Sequence, residues 1–91
     1  MKLLAPETVV AERFAIREVI GAGGMGAVYR AEQTALGRDV ALKVIHAAAA
    51  SNQHSRDRFF REARLLASLK HPGIVEIYDF GEHDETLFLA M

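Results

Sequence analysis

The chain has 91 residues, 51% of them hydrophobic and 25% charged, with a formal net charge of −1 at pH 7. That length allows one compact domain, which buries only about 60–65% of the surface its unfolded form exposes, and the balance of apolar and charged residues excludes a disordered or fibrous chain. No block of Lys and Arg calls for nucleic acid or an anionic membrane surface, and the absence of cysteine removes disulfides, thiolate chemistry and Cys-based zinc sites together.

Met1-Lys2-Leu3-Leu4-Ala5 opens like a signal peptide, but Pro6 and Glu7 end the apolar stretch and no run of 18 apolar residues follows. The expectation is a cytoplasmic chain that neither crosses nor enters a membrane, with residues 1–13 as a lead-in. Three strands are then predicted: Phe14 to Ile20, Ala27 to Glu32, and Arg38 to Ile45, the last rich in Val, Leu and Ile. A glycine cluster joins the first two, and Thr34-Ala35-Leu36-Gly37 supplies the turn to the third, so the three should be antiparallel. Ala47-Ala48-Ala49-Ala50 and Ser51-Asn52-Gln53-His54-Ser55 read as a connection.

From Arg56 to Leu69, Phe59, Ala63 and Leu66 recur at helical spacing among good helix formers. Ser55 is the expected N-cap with Asp57 in the first turn, and His71-Pro72-Gly73 cannot continue the helix. Two strands, Ile74 to Phe80 and Thr86 to Met91, follow, joined through Gly81-Glu82-His83-Asp84-Glu85. The expected fold is α+β: a five-stranded antiparallel sheet with one main helix, in the order βββαββ.

Gly21-Ala22-Gly23-Gly24-Met25-Gly26 satisfies G-x-G-x-x-G, whose glycines let backbone amides approach phosphate oxygens with no Cβ in the way. A glycine cluster between two strands is also an ordinary turn. A Walker A loop needs Lys and then Ser or Thr after the last glycine, and Ala27-Val28 stand there instead. A dinucleotide fold needs a helix after the glycines and an acidic residue at the end of the next strand; Ala27-Val28-Tyr29-Arg30-Ala31 reads as a strand, and Asp39 precedes its strand. The third pattern, G-x-G-x-x-G-x-V, is met at Gly21, Gly23, Gly26 and Val28, and two further motifs accompany it. Val40-Ala41-Leu42-Lys43 differs from V-A-I-K by one residue, and Glu62 stands 19 residues after Lys43 in the predicted helix.

In these motifs, their order and their spacing, residues 14–91 resemble the N-terminal lobe of a protein kinase. Phe60-Arg61-Glu62-Ala63, His71-Pro72-Gly73-Ile74-Val75 and the Gly-Gly-Met-Gly tip are similar to the bacterial (Hanks-type) serine/threonine branch. The resemblance implies ATP as ligand, with Lys43 reaching its α- and β-phosphates and Glu62 holding the Lys43 ammonium as the catalytic pair. It further implies a nucleotide site built from Ile20, Gly21, Ala22, Gly23, Gly24, Met25, Gly26, Val28, Ala41, Lys43 and Met91. Val28 and Ala41 would sandwich the adenine and Met91 would back its pocket. Leu66 and Ile77 match an apolar column between helix and sheet.

Asp79-Phe80-Gly81 matches by letters the magnesium-binding D-F-G of kinases, but no H-R-D loop precedes it, and a strand-to-strand turn accounts for its Asp and Gly. His46, His54, His71 and His83 show no paired ligand spacing, so no metal site is expected in the chain. The base, the magnesium ligands and the acceptor platform of phosphoryl transfer all belong to the second lobe, so the chain alone is expected to be inactive. Magnesium would be held mainly by that lobe, and a protein substrate would require it. The expectation is an incomplete kinase domain, interrupted at a strand beside the pocket. A non-catalytic nucleotide-binding module, or a piece that associates with itself or docks on another kinase through its open face, is the alternative.

Overall fold

A computed structural model describes residues 3–23, 26–45, 52–69, 72–73 and 76–91. Among these residues lie six strands, β1 (Val9–Val10), β2 (Phe14–Gly23), β3 (Gly26–Gln33), β4 (Arg38–Ile45), β5 (Asp79–His83) and β6 (Thr86–Ala90), and one helix, α1 (Gln53–Ser68). All strand pairs are antiparallel, in the order β1-β2-β3-β4-β6-β5. Among the described residues no helix is long and apolar enough to cross a membrane.

Period-two alternation divides the sheet into two faces. Ala27, Tyr29 and Ala31 on β3 and Val40, Leu42 and Val44 on β4 are buried, and with Phe14, Ile16 and Phe88 they form the core. Each large side chain fully withdrawn from water there contributes about 1.5–3 kcal/mol. The Tyr29 hydroxyl is not wasted in this core, because it accepts the Leu4 N–H at 3.0 Å and ties the N-terminal segment across the sheet. Val28, Arg30, Ala41, Lys43 and Ile45 alternate onto the opposite face, where none is buried.

The sheet curls until its two edge strands approach, and side chains close the gap. Arg13, at the β1–β2 turn, lies 3.0 Å from Asp79 of β5 through Nε and Oδ2, with its guanidinium 5.6 Å over the ring of Phe88. The Ala11 N–H donates to His83 Nδ1 at 3.0 Å. The helix covers β5 from the other side: Phe60 meets Phe80 with ring centroids 6.2 Å apart, and Arg56 is paired with Glu82.

The fold class stands as α+β, with six strands rather than five. The additional strand is β1, inside the stretch expected to be only a lead-in; two residues are too short to carry an alternation, yet Val9 and Val10 pair with Ala15 and Phe14. The helix begins three residues earlier than expected, and its N-cap is Asn52, not Ser55. The Asn52 side chain accepts from the His54 and Ser55 N–H groups, at 2.8 and 3.2 Å, so Ser55 already lies inside the first turn and Asp57 beyond it.

The strand predicted over Ile74 to Phe80 is instead Asp79–His83. Ile74 and Val75 fall outside the described residues, and residues 76–78 are not strand. The hairpin turn is the two residues Asp84 and Glu85, both left-handed with φ of 46° and 67°, which is the backbone a two-residue hairpin requires. Asp79-Phe80-Gly81 therefore opens a strand and does not make its turn. Gly81 is small for a packing reason: a Cβ there would lie 3.1 Å from the ring atoms of Phe88.

Candidate nucleotide site

Register fixes the site. Gly21 pairs with Val28, Val28 with Lys43 and Lys43 with Leu89, so one row of residues crosses four strands on the face away from the core. The next row contains Arg30, Ala41 and Met91. Ala41 and Met91 exchange both backbone hydrogen bonds, at 2.9 and 2.8 Å, which carries the β4–β6 pairing one step beyond β6. Above these rows lies a cavity of about 250 Å³ lined by Gly21, Ala22, Gly23, Gly26, Ala27, Val28 and Lys43. Small-molecule sites commonly enclose about 300–1,000 Å³, so the cavity is somewhat smaller than a complete site of that kind.

The glycines of the hairpin answer to different demands. A Cβ on Gly26 would fall 2.0 Å from the Val44 carbonyl oxygen, so the fold itself requires glycine where β3 crosses β4. A Cβ at Gly21 or Gly23 would have no atom of the described residues within 4 Å. Glycine weakens a strand interior, and packing among the described residues does not call for it at either place. Just before Gly21 the β2–β3 register slips, leaving Ile20 out of the strand pairing and 62% exposed, and it is not among the residues that line the cavity. A bulge beside a binding site commonly re-aims the chain in this way.

Lys43 is exposed on the floor of the cavity and makes no ion pair among the described residues. Glu62 is 68% exposed and lies 4.0 Å from Arg58, one turn earlier on α1. The helix docks through Phe60 and the buried Ala63, and successive helical residues turn by about 100°, which sets Glu62 well away from that face. The structure thus brings Gly21, Ala22, Gly23, Gly26, Val28 and Lys43 together, with Ala41 and Met91 in the adjoining row, and leaves Glu62 outside. Gly24 and Met25 lie outside the described residues. Leu66 is 40% exposed and Ile77 half-buried. Leu89 beside Lys43 and Ala27 in the cavity wall went unread in the sequence; counting back two residues from Met91 along the same face would have found Leu89.

A curled antiparallel sheet carrying one helix, with a glycine hairpin folded over a lysine on the third long strand, is the architecture of a protein-kinase N-lobe. The family described as the protein kinase domain matches residues 14–91, and the chain belongs to it. It is 46% identical over 90 residues to the serine/threonine-protein kinase pkn2 of Myxococcus xanthus, covering 98% of this chain and 11% of that protein. It is 44% identical over 82 residues to the serine/threonine-protein kinase PrkC of Bacillus subtilis, covering 90% of this chain and 13% of that one. The crystal structure of the Mycobacterium tuberculosis PknI kinase domain superimposes with a TM-score of 0.87 at 36% identity, over 99% of this chain and 36% of that one. The chain therefore spans roughly a tenth of these curated relatives and about a third of the solved kinase domain.

Proposed function

We propose that this chain is the ATP-binding lobe of a bacterial serine/threonine protein kinase, which in the whole enzyme presents the γ-phosphoryl group to a protein hydroxyl. The observation that carries the reading is the space that the described residues leave open at Gly21 and Gly23 beside an exposed Lys43: two glycines that packing among those residues does not require, lining the same cavity as an ammonium. Backbone amides at those glycines would approach phosphate oxygens, and Lys43 would neutralise the charge of the α- and β-phosphates. Val28 and Ala41 present small apolar surfaces suited to the upper face of adenine, with Met91 at the back.

Glu62 would serve by holding the Lys43 ammonium, which requires α1 to present a different face to the sheet from the one it presents here. No carboxylate is among the described residues that line the cavity, so these residues do not fit a magnesium site, and the reading leaves that ion to the second lobe of the whole enzyme. Without a base for the acceptor hydroxyl the chain has no route to in-line transfer, and by itself it is inactive.

Titrating the labelled chain with a non-hydrolysable ATP analogue tests the reading. Amide shifts are expected at Gly21, Gly23, Val28, Lys43 and Met91, with affinity on the order of millimolar because only one side of the nucleotide is held. Lys43→Met should weaken the titration about tenfold or more while changing stability by less than about 0.5 kcal/mol, since the side chain is exposed. Shifts confined to other surfaces, or none at saturating analogue, would overturn the nucleotide reading. Metal-dependent turnover by the chain alone would overturn its inactivity.

A further inference from the structure

Strand β5 presents its residues alternately to two different parts of the molecule. Asp79, Gly81 and His83 face the β1–β2 corner: Asp79 pairs with Arg13 at 3.0 Å, Gly81 lies beneath the Phe88 ring that Arg13 covers, and His83 Nδ1 accepts the Ala11 N–H at 3.0 Å. Phe80 and Glu82 face α1, where they meet Phe60 and Arg56. The two sets are on opposite sides because strand residues alternate.

The match to α1 is commensurate. Arg56 and Phe60 are one helical turn apart, about 6 Å, and Glu82 and Phe80 are two strand residues apart, about 6.8 Å, so the helix lies along β5 with two successive turns engaged. Elsewhere the sheet offers the helix little, for α1 meets it chiefly at β5. The β1–β2 corner is itself tightly specified: Ala11 and Glu12 both hold left-handed backbone, with φ of 52° and 62°, which non-glycine residues seldom adopt unless their surroundings impose it. Ala11 and Arg13 precede residue 14, where the kinase-family match begins.

We infer that the Ala11–Arg13 corner, outside the kinase-family match, positions α1 through β5, so that Arg13, Asp79 and His83 are positioning residues for the helix that carries Glu62. A partner or modification that takes hold of the N-terminal segment is then felt at α1, because the corner and the helix grip the two faces of the same five-residue strand. The coupling is a property of the fold alone; its bearing on catalysis rests on the reading of Lys43 and Glu62 given above.

Amide hydrogen exchange on the full chain without nucleotide tests it. Arg13→Gln and His83→Ala are each expected to accelerate exchange across residues 56–67 by about 3- to 10-fold and to shift the Phe60 ring resonances, with the Tyr29 and Leu42 amides within about twofold of wild type. Arg13→Lys, which keeps a cation beside Asp79, should restore slow exchange in α1. Arg17→Gln, which removes pairs from β2 to Glu7 on the N-terminal segment and to Glu32 on β3, should leave α1 unchanged. Acceleration confined to residues 9–15 and 79–83, or a uniform acceleration that includes Tyr29 and Leu42, would overturn the inference. Should Arg13→Gln fail to fold, His83→Ala carries the same test, since it removes the bond from the Ala11 N–H and the 3.4 Å contact with Asp84 in the hairpin turn but leaves the Arg13–Asp79 ion pair. No nucleotide enters the measurement, so its failure leaves the ATP-binding reading standing, and failure of the ATP titration leaves the coupling untouched.

Discussion

A methyl group added at Gly26 would sit 2.0 Å from the Val44 carbonyl oxygen, against backbone that is itself paired in the sheet. Neither side has a flexible end to yield, so Gly26→Ala should cost about 3 kcal/mol in urea denaturation, a large part of the stability of so small a fold. Gly21→Ala has the opposite profile: with no atom of the described residues within 4 Å it should leave stability within about 0.5 kcal/mol and, on the proposed function, weaken nucleotide binding, because its Cβ would occupy the cavity side. Equal destabilisation by the two substitutions would remove the distinction between a packing glycine and a ligand glycine. Gly21, Val28 and Lys43 were legible in the sequence because hairpin register is short-range: a fixed spacing on adjacent strands places residues side by side. Glu62 was not legible to the same degree. Its 19-residue separation from Lys43 puts it on the helix, but the rotation of the helix depends on which stripe docks, and Phe60 with Ala63 takes that place here.

At the level of elements, the helix start shows where a single sequence leaves choices open. Asn52 and Ser55 are both capping residues in one polar stretch, and either can precede an apolar repeat; the geometry selects Asn52, whose side chain accepts two N–H groups, one of them from Ser55. Asn52→Ala should therefore cost about 1 kcal/mol and reduce helicity by circular dichroism, whereas Ser55→Ala should stay within about 0.5 kcal/mol. The reverse order of effects would return the cap to Ser55. The displaced strand has a similar origin. Residues 74–80 are apolar enough to read as a strand, but β5 must pair with Thr86–Ala90 across a two-residue turn, and that turn sets its register from His83 back to Asp79. Side-chain pattern suggested a strand in this region; the hairpin decided which residues form it.

For the molecule as a whole, closure of the curled sheet converges on Phe88. Its ring is fully buried, lies 5.7 Å edge-on from Phe14, sits under the Arg13 guanidinium and rests where a Gly81 side chain would otherwise be. Phe88→Ala should cost about 3–5 kcal/mol, enough to unfold much of the population in a chain of this size. A milder pair of substitutions tests the packing itself. Gly81→Ala brings a methyl to 3.1 Å from the ring and should cost about 1–2 kcal/mol. Phe88→Leu loses aromatic contacts with Phe14 and Arg13 and should cost about 1–2 kcal/mol more. Combined, the two should be less damaging than their sum by about 0.5–1.5 kcal/mol, since the smaller leucine leaves room for the new methyl. Additivity within about 0.3 kcal/mol in a double-mutant cycle would mean that Gly81 and Phe88 do not share one space. The same cycle bears on the letters Asp79-Phe80-Gly81: a coupling of Gly81 to Phe88 ties that tripeptide to sheet closure, with Asp79 on Arg13, Gly81 under the ring and Phe80 on the helix, and gives all three residues work that requires no metal.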